Sequence, residues 1–303
     1  MIITAKSTPD EQLKSRVEFG FKNIEIQILN ATTGEDDFNN TIKYDVDVIS
    51  VHTPLISSSN NSTKSDISLN DLSDLSYFQM LIKTCELAQK FATHYNHPVN
   101  VVIHNKFSKE TWEKLGGFLK DIKDVFRYLT NEFPDLYFCI ENSTPYSKGH
   151  TNEGTEVCDA YFIANYLNKH VSDKFRLVID TCHLLMTKRC LNAILKSYPK
   201  LLESQKSFEE SFKDSNGLLQ IVHLNNAKGI GYQKDHGTPF KKENKEDMKI
   251  LKEITKAYEK YGNDAIICLE VQEDDYLNPI NMKTTYEAFL EAIQNLDCST
   301  PQK

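Results

Sequence analysis

A chain of 303 residues, 40% hydrophobic and 26% charged, carries enough apolar material for a substantial buried core. Its formal net charge is -8, and only four of its 35 basic residues are Arg, so it exerts no general electrostatic pull toward nucleic acid. No run of 18 apolar residues occurs and MIITAKSTPDEQ has no apolar leader segment, so a soluble, cytoplasmic chain with no membrane contact is expected.

In chain order, short β-branched or aromatic runs alternate with stretches of helical spacing. The run IIT at 2–4 leads to a helix over 9–19, and NIEIQI at 23–28 to a weakly helical connection over 29–45. VDVISVH at 46–52 precedes a polar, low-complexity stretch at 56–70, read as an exposed loop, and then a helix over 71–95. VNVVIH at 99–104 is followed by a helix over 108–133. LYFCIE at 136–141 is followed by a loop at 144–155 and a helix over 156–170. FRLVID at 175–180 leads to a helix over 192–212, LLQIVH at 218–223 to one over 245–261, and AIICLE at 265–270 to one over 284–296.

The runs are mostly continuous rather than alternating, as parallel strands read when both faces are covered. Eight strand–helix units in this length, with no Gly-rich phosphate loop after the first strand, predict a closed (β/α)8 TIM barrel. A single domain over residues 1–303 is expected, since neither an internal repeat nor an interdomain linker is visible. The seven cysteines form no CxxC pair, and Cys139, Cys182 and Cys268 fall in or beside apolar runs, as small buried hydrophobes do in a reducing compartment.

Six of the runs end in His52, His104, Glu141, Asp180, His223 and Glu270. Parallel strands in a barrel bring such end residues to one rim, the C-terminal rim where barrel chemistry gathers. A lone His or Asp at a strand end is usually a cap. Six together, with carboxylates that repel unless a cation lies among them, point to a divalent metal site. His183 in DTCH, and Asp235 and His236 in KDHGTPF, extend the set. His94, His97 and His170 fall at helix ends and read as surface residues, His150 as a loop residue, Trp112 as core and KKENKEDMK as a solvated helix start.

The pieces GFKNIEI, SVHTPL, VVIH, CIENS, VIDTCH, HLNNAKG, DHGTPF and CLEVQE, spanning residues 20–273, resemble the xylose isomerase-like TIM barrels. That superfamily includes sugar isomerases and epimerases and the endonuclease IV group of apurinic/apyrimidinic endonucleases. The resemblance implies a central ion held by Glu141, Asp180, His223 and Glu270. In an isomerase or epimerase of a small sugar or polyol, Glu141 and Glu270 would move protons. His183 would steady the substrate oxygen, and His52, His104, Glu25 and His236 would contact the substrate.

In the endonuclease alternative, His52, His104 and Glu141 would hold a second ion, and His183 with an Asp-x-His pair a third. The chain departs there: Asp235 and His236 are adjacent and Lys234 stands two before His236, which speaks against a third ion. It also lacks that group's Gly- and Ser-containing opening motif and an Arg- and aromatic-bearing loop to enter a duplex. The isomerase expectation ranks first, with a small-molecule substrate. The endonuclease, whose partner would be nucleic acid, ranks second, and a non-catalytic binding barrel third. Zn or Mn is the expected ion, with Mg or Co as further fits and no organic cofactor; a homodimer is a further expectation.

Overall fold

The structure, a computed structural model, describes residues 1–28, 35–57, 64–147, 150–195, 206–229 and 235–297. Eight strands close a barrel: β1 (Ile3–Ser7), β2 (Asn23–Gln27), β3 (Asp47–His52), β4 (Val99–Asn105), β5 (Leu136–Asn142), β6 (Phe175–Asp180), β7 (Leu219–Leu224) and β8 (Ile266–Leu269). Neighbours pair in sequence order, every pair is parallel, and β1 closes on β8 through Ile3↔Ile267 and Ala5↔Leu269. All eight expected strands are present, and the (β/α)8 reading holds.

Period-two alternation along each strand sorts the side chains into layers. Val102, Cys139, Val178, Ile221 and Cys268 form an apolar layer with Ile49 and Ile266. Two residues further along stand His104, Glu141, Asp180 and His223 on the same strands, and Glu270 just past β8. A dry plug therefore lies directly beneath the ionisable groups, cutting them off from water on that side. Odd-and-even partners such as Phe138, Ile140, Leu177 and Ile179 face the helical shell and are fully buried there.

The shell comprises α1 (Glu11–Phe19), α2 (Glu35–Ile42), α3 (Leu75–Tyr95), α4 (Lys109–Glu113), α5 (Leu115–Glu132), α6 (Val157–His170), α7 (Thr181–Leu195), α8 (Phe208–Lys213), α9 (Lys245–Tyr261) and α10 (Ile280–Asp297). The helix expected over 108–133 is split at Lys114, whose backbone N–H closes α4 onto Thr111 and Trp112. The helix expected over 192–212 is wrong in its bounds: α7 begins at Thr181, straight after β6, and α8 is a separate short helix; residues 196–205 lie outside the described residues. In the connection at 29–45 the described part carries the short α2, and 29–34 lie outside the described residues.

The stretch 56–70 is not wholly an exposed loop. Leu55–Ser57 pairs antiparallel with Lys64–Asp66, and Ile67 and Leu69 are fully buried; 58–63 are outside the described residues. In the stretch 144–155, Tyr146–Ser147 pairs with His150–Thr151. Cys85, Cys139, Cys182 and Cys268 are buried free thiols. No helix among the described residues is long and apolar enough to cross a membrane.

Candidate metal centre

His104 and Glu141 are register partners on β4 and β5, as are Asp180 and His223 on β6 and β7, so the ladder itself sets these candidate ligands side by side. Glu141, Asp180, His223 and Glu270 place one ligand atom each within 4.8 Å of one another. His223 Nδ1 is 3.2 Å from Glu141 Oε1, 2.8 Å from Glu270 Oε2 and 4.0 Å from Asp180 Oδ2. One imidazole nitrogen carries at most one proton and cannot serve three carboxylates. Glu270 Oε2 is accordingly a buried oxygen without a hydrogen bond among the described residues.

Three further groups share these candidate ligands. His52, Glu141 and His223 form one, and His104, Glu141 and His183 overlap it; Asp180, His183 and His236 form another. The tautomers follow from the backbone. His52 Nδ1 lies 3.1 Å from the Thr53 carbonyl and His183 Nδ1 2.7 Å from that of Asn142, so in each neutral ring Nδ1 donates and Nε2 presents its lone pair. His52 Nε2 then faces Glu141 Oε2 at 3.3 Å, and His183 Nε2 faces His236 Nε2 at 3.0 Å. A lone pair aimed at a carboxylate, as at His52, is repulsive alone and attractive around a cation, whereas a neutral His236 can donate from Nε2 to His183. The donor set fits divalent ions.

The supporting residues were mostly invisible in the sequence. Glu25, expected to touch substrate, is fully buried behind His223: its Oε2 accepts from His223 Nε2 at 3.2 Å and from Ser50 Oγ at 2.7 Å. That is the carboxylate–histidine arrangement that orients a metal ligand. Asp180 Oδ1 caps α7 by accepting from His183 N at 2.8 Å, and Oδ2 accepts from Asn225 Nδ2 at 3.0 Å. Thr181 Oγ1 donates to the Asn225 carbonyl, and the Asn142 side chain brackets the Asp180 backbone, tying β5, β6 and β7 together. His183 thus stands on a helix start rather than a loop. Lys6 on β1 was also missed; its Nζ donates to Glu270 Oε1 at 2.7 Å.

Charge at the centre is strongly coupled. Burial opposes ionisation of Glu141, but His104 and His223 hold its carboxyl well below the ordinary range. Glu270 is likewise depressed, against burial, by Lys6 and His223. Burial raises Asp180. His223 is raised well above an ordinary imidazole because Glu25, Glu141 and Glu270 outweigh its burial. Burial and His183 push His236 down to about 3, which keeps that ring neutral and its lone pair available.

Outside the centre, His94 and His170 are exposed, and His97 pairs with Asp47 at 2.6 Å at the start of β3, the opposite end of the barrel. The His150 side chain lies outside what is described. Asp235 joins none of the ligand groups among the described residues; its backbone carbonyl accepts from Lys228 N. Asp180, rather than Asp235, is the carboxylate grouped with His183 and His236.

Structural comparison finds this barrel in several solved proteins. A putative xylose isomerase from Rhodospirillum rubrum superposes with TM-score 0.59 at 12% identity, covering 99% of this chain and 100% of its own. The chain has the xylose isomerase-like TIM-barrel fold. A protein described as AP endonuclease, family 2 from Brucella melitensis gives TM-score 0.56 at 10% identity, with 96% of this chain and 98% of that one covered. A xylose isomerase domain protein from Planctomyces limnophilus gives 0.55 at 9% identity, covering 98% and 95%. No family model matches this chain, and no curated protein matches it.

Proposed function

We propose that this barrel is a divalent-metal-dependent phosphodiesterase acting on nucleic acid at abasic positions, with more than one ion held at the C-terminal rim. The observation that carries the reading is the convergence of four further donors, His52, His104, His183 and His236, on Glu141 and Asp180, the carboxylates of the central group. Under the isomerase or epimerase reading, Glu141, Asp180, His223 and Glu270 would hold one ion and the four histidines would contact substrate. Against that reading, the Nε2 lone pair of His52 turns toward the Glu141 carboxylate, as it would around a shared cation. The geometry therefore favours the reading that the sequence ranked second.

Bound divalent ions would polarise phosphoryl oxygens and lower the pKa of a water from about 15.7 toward about 7. The chain's own residues supply the rest. Glu141 and Asp180, each belonging to more than one ligand group, would hold neighbouring ions at a fixed spacing. Glu25 engages the His223 Nε2 proton, which would leave Nδ1 to hold an ion. The apolar layer of Val102, Cys139, Val178 and Ile221 excludes water from below, which strengthens every charge interaction above it.

The loop after β8 supports a nucleic-acid substrate. Tyr276 and Leu277, six and seven residues past Glu270, are 42% and 58% exposed, and such side chains stack on or wedge beside unpaired bases. Buried Arg16 Nη1 pins this loop by donating to the Tyr276 carbonyl at 3.0 Å. The test is strand cleavage of a duplex carrying one abasic site, with an intact duplex and a panel of ketose and aldose sugars as comparisons. Zinc-dependent incision at the lesion supports the reading; sugar isomerisation without incision overturns it.

A further inference from the structure

Lys6 is not a surface lysine. Its side chain is 10% exposed, and Nζ sits between two carboxylates, 2.7 Å from Glu270 Oε1 and 3.6 Å from Glu25 Oε1. The other oxygen of Glu270, Oε2, turns into the ligand group and lies 2.8 Å from His223 Nδ1. One carboxylate thus has an ammonium on one oxygen and the metal position on the other. Four carboxylates, Glu25, Glu141, Asp180 and Glu270, crowd this end of the barrel, and Lys6 is the lysine that the ion-pair geometry places among them.

We propose that Lys6 is a built-in competitor of the metal, holding Glu270 in place before an ion arrives and lowering the centre's affinity for that ion. The inference rests on the metal centre of the proposed function. It names what adjusts that centre's hold on its ions.

Two effects of Lys6 on ion binding oppose each other. Its hydrogen bond fixes the Glu270 carboxylate, and preorganisation favours binding. Its positive charge, one carboxylate away from a divalent ion, disfavours binding. The first effect is small, because Glu270 stays against His223 when Lys6 is removed and regains only part of its rotamer freedom. The second acts at short range in a buried site, where the effective dielectric is near ~20 rather than ~80, and it doubles for a divalent ion. Charge wins, so removing the ammonium tightens the ion. By linkage, the same change destabilises the metal-free chain more than the metal-bound one.

The experiment is a zinc titration of the full chain against a chromophoric chelator, with zinc chloride as the only added ion, beside melting curves with and without zinc. Lys6→Met is expected to bind zinc at least about tenfold more tightly than wild type, and to gain more in Tm on adding zinc. Lys6→Arg, which keeps the charge, is expected to stay near wild type. Lys6→Gln keeps a donor without the charge; it tracks Lys6→Met if charge governs and wild type if geometry does, so the answer survives a Met variant that folds poorly. Wild-type affinity in Lys6→Gln, weaker binding in Lys6→Met, or tightening in Lys6→Arg overturns the inference while leaving the centre intact. A wild-type chain that takes up no zinc removes the metal centre itself, which is a different failure.

Discussion

Replacing Glu25 by Gln separates a residue that touches substrate from one that orients a ligand. Glu25 is fully buried, and its carboxylate accepts from His223 Nε2 and Ser50 Oγ. Its pKa is brought down to about 2 from an ordinary value near 4.5: burial opposes this, and His223 is the main cause of the lowering. That difference of about 2.5 units corresponds to about 3 kcal/mol at neutral pH. Losing a charged hydrogen-bond partner independently suggests about 1.5–3 kcal/mol, so the two routes agree.

The metal-free Gln variant should therefore be about 2–3 kcal/mol less stable in urea unfolding. A Gln amide also no longer commands the Nε2 proton of His223, and losing such a partner usually weakens a metal site about 10–100-fold, or about 1.4–2.7 kcal/mol. Turnover at limiting zinc should fall accordingly and recover with excess zinc, while KM for the abasic duplex stays unchanged. Wild-type zinc affinity combined with a raised KM would refute this reasoning and return Glu25 to the substrate.

Three further outcomes follow from the geometry. His236→Ala should leave the barrel folded but carry one ion fewer per chain by elemental analysis, because His236 belongs to one ligand group and its neighbours remain. In the metal-free chain, stability from the depressed carboxyls of Glu25, Glu141 and Glu270 is fully present above about 4.5 and lost as pH falls through their folded values. Stability from the raised His223 is present below about 6.5 and lost as pH rises through its folded value. Circular dichroism should thus place the metal-free optimum between these limits, and added zinc should move it to higher pH, since His223 must give up its Nδ1 proton to ligate. Gly154→Ala should cost at least about 2 kcal/mol in urea unfolding: φ is +79° there, and a Cβ would overlap the Asn105 carbonyl oxygen.

The rim was legible because a parallel strand buried on both faces reads as an apolar run, and its first polar residue marks the strand end. His104, Glu141, Asp180 and His223 were found that way, and Glu270 follows β8 directly. Lys6 escaped the same rule. The IIT run was ended at Thr4, yet β1 continues to Ser7, and a charge is tolerated there because Glu270 and Glu25 reach it from the far end of the chain and from β2. Nothing local announces those partners.

The start of α7 was misplaced for a related reason. Thr181, Cys182 and His183 looked like a loop, whereas Asp180 serves at once as strand end, helix cap and ligand-group member. The third ligand group was discounted on the spacing of Asp235 and His236. In the fold a carboxylate 56 residues before His236, Asp180, lies in one group with His183 and His236. Spacing within one loop does not reveal which strand end that loop reaches.

Metal content addresses the central claim most directly: elemental analysis of the full chain, purified without chelator and equilibrated with zinc. Two or more tightly held ions per chain are predicted from the way Glu141 and Asp180 serve several histidines at once. A single ion, or none, would contradict it.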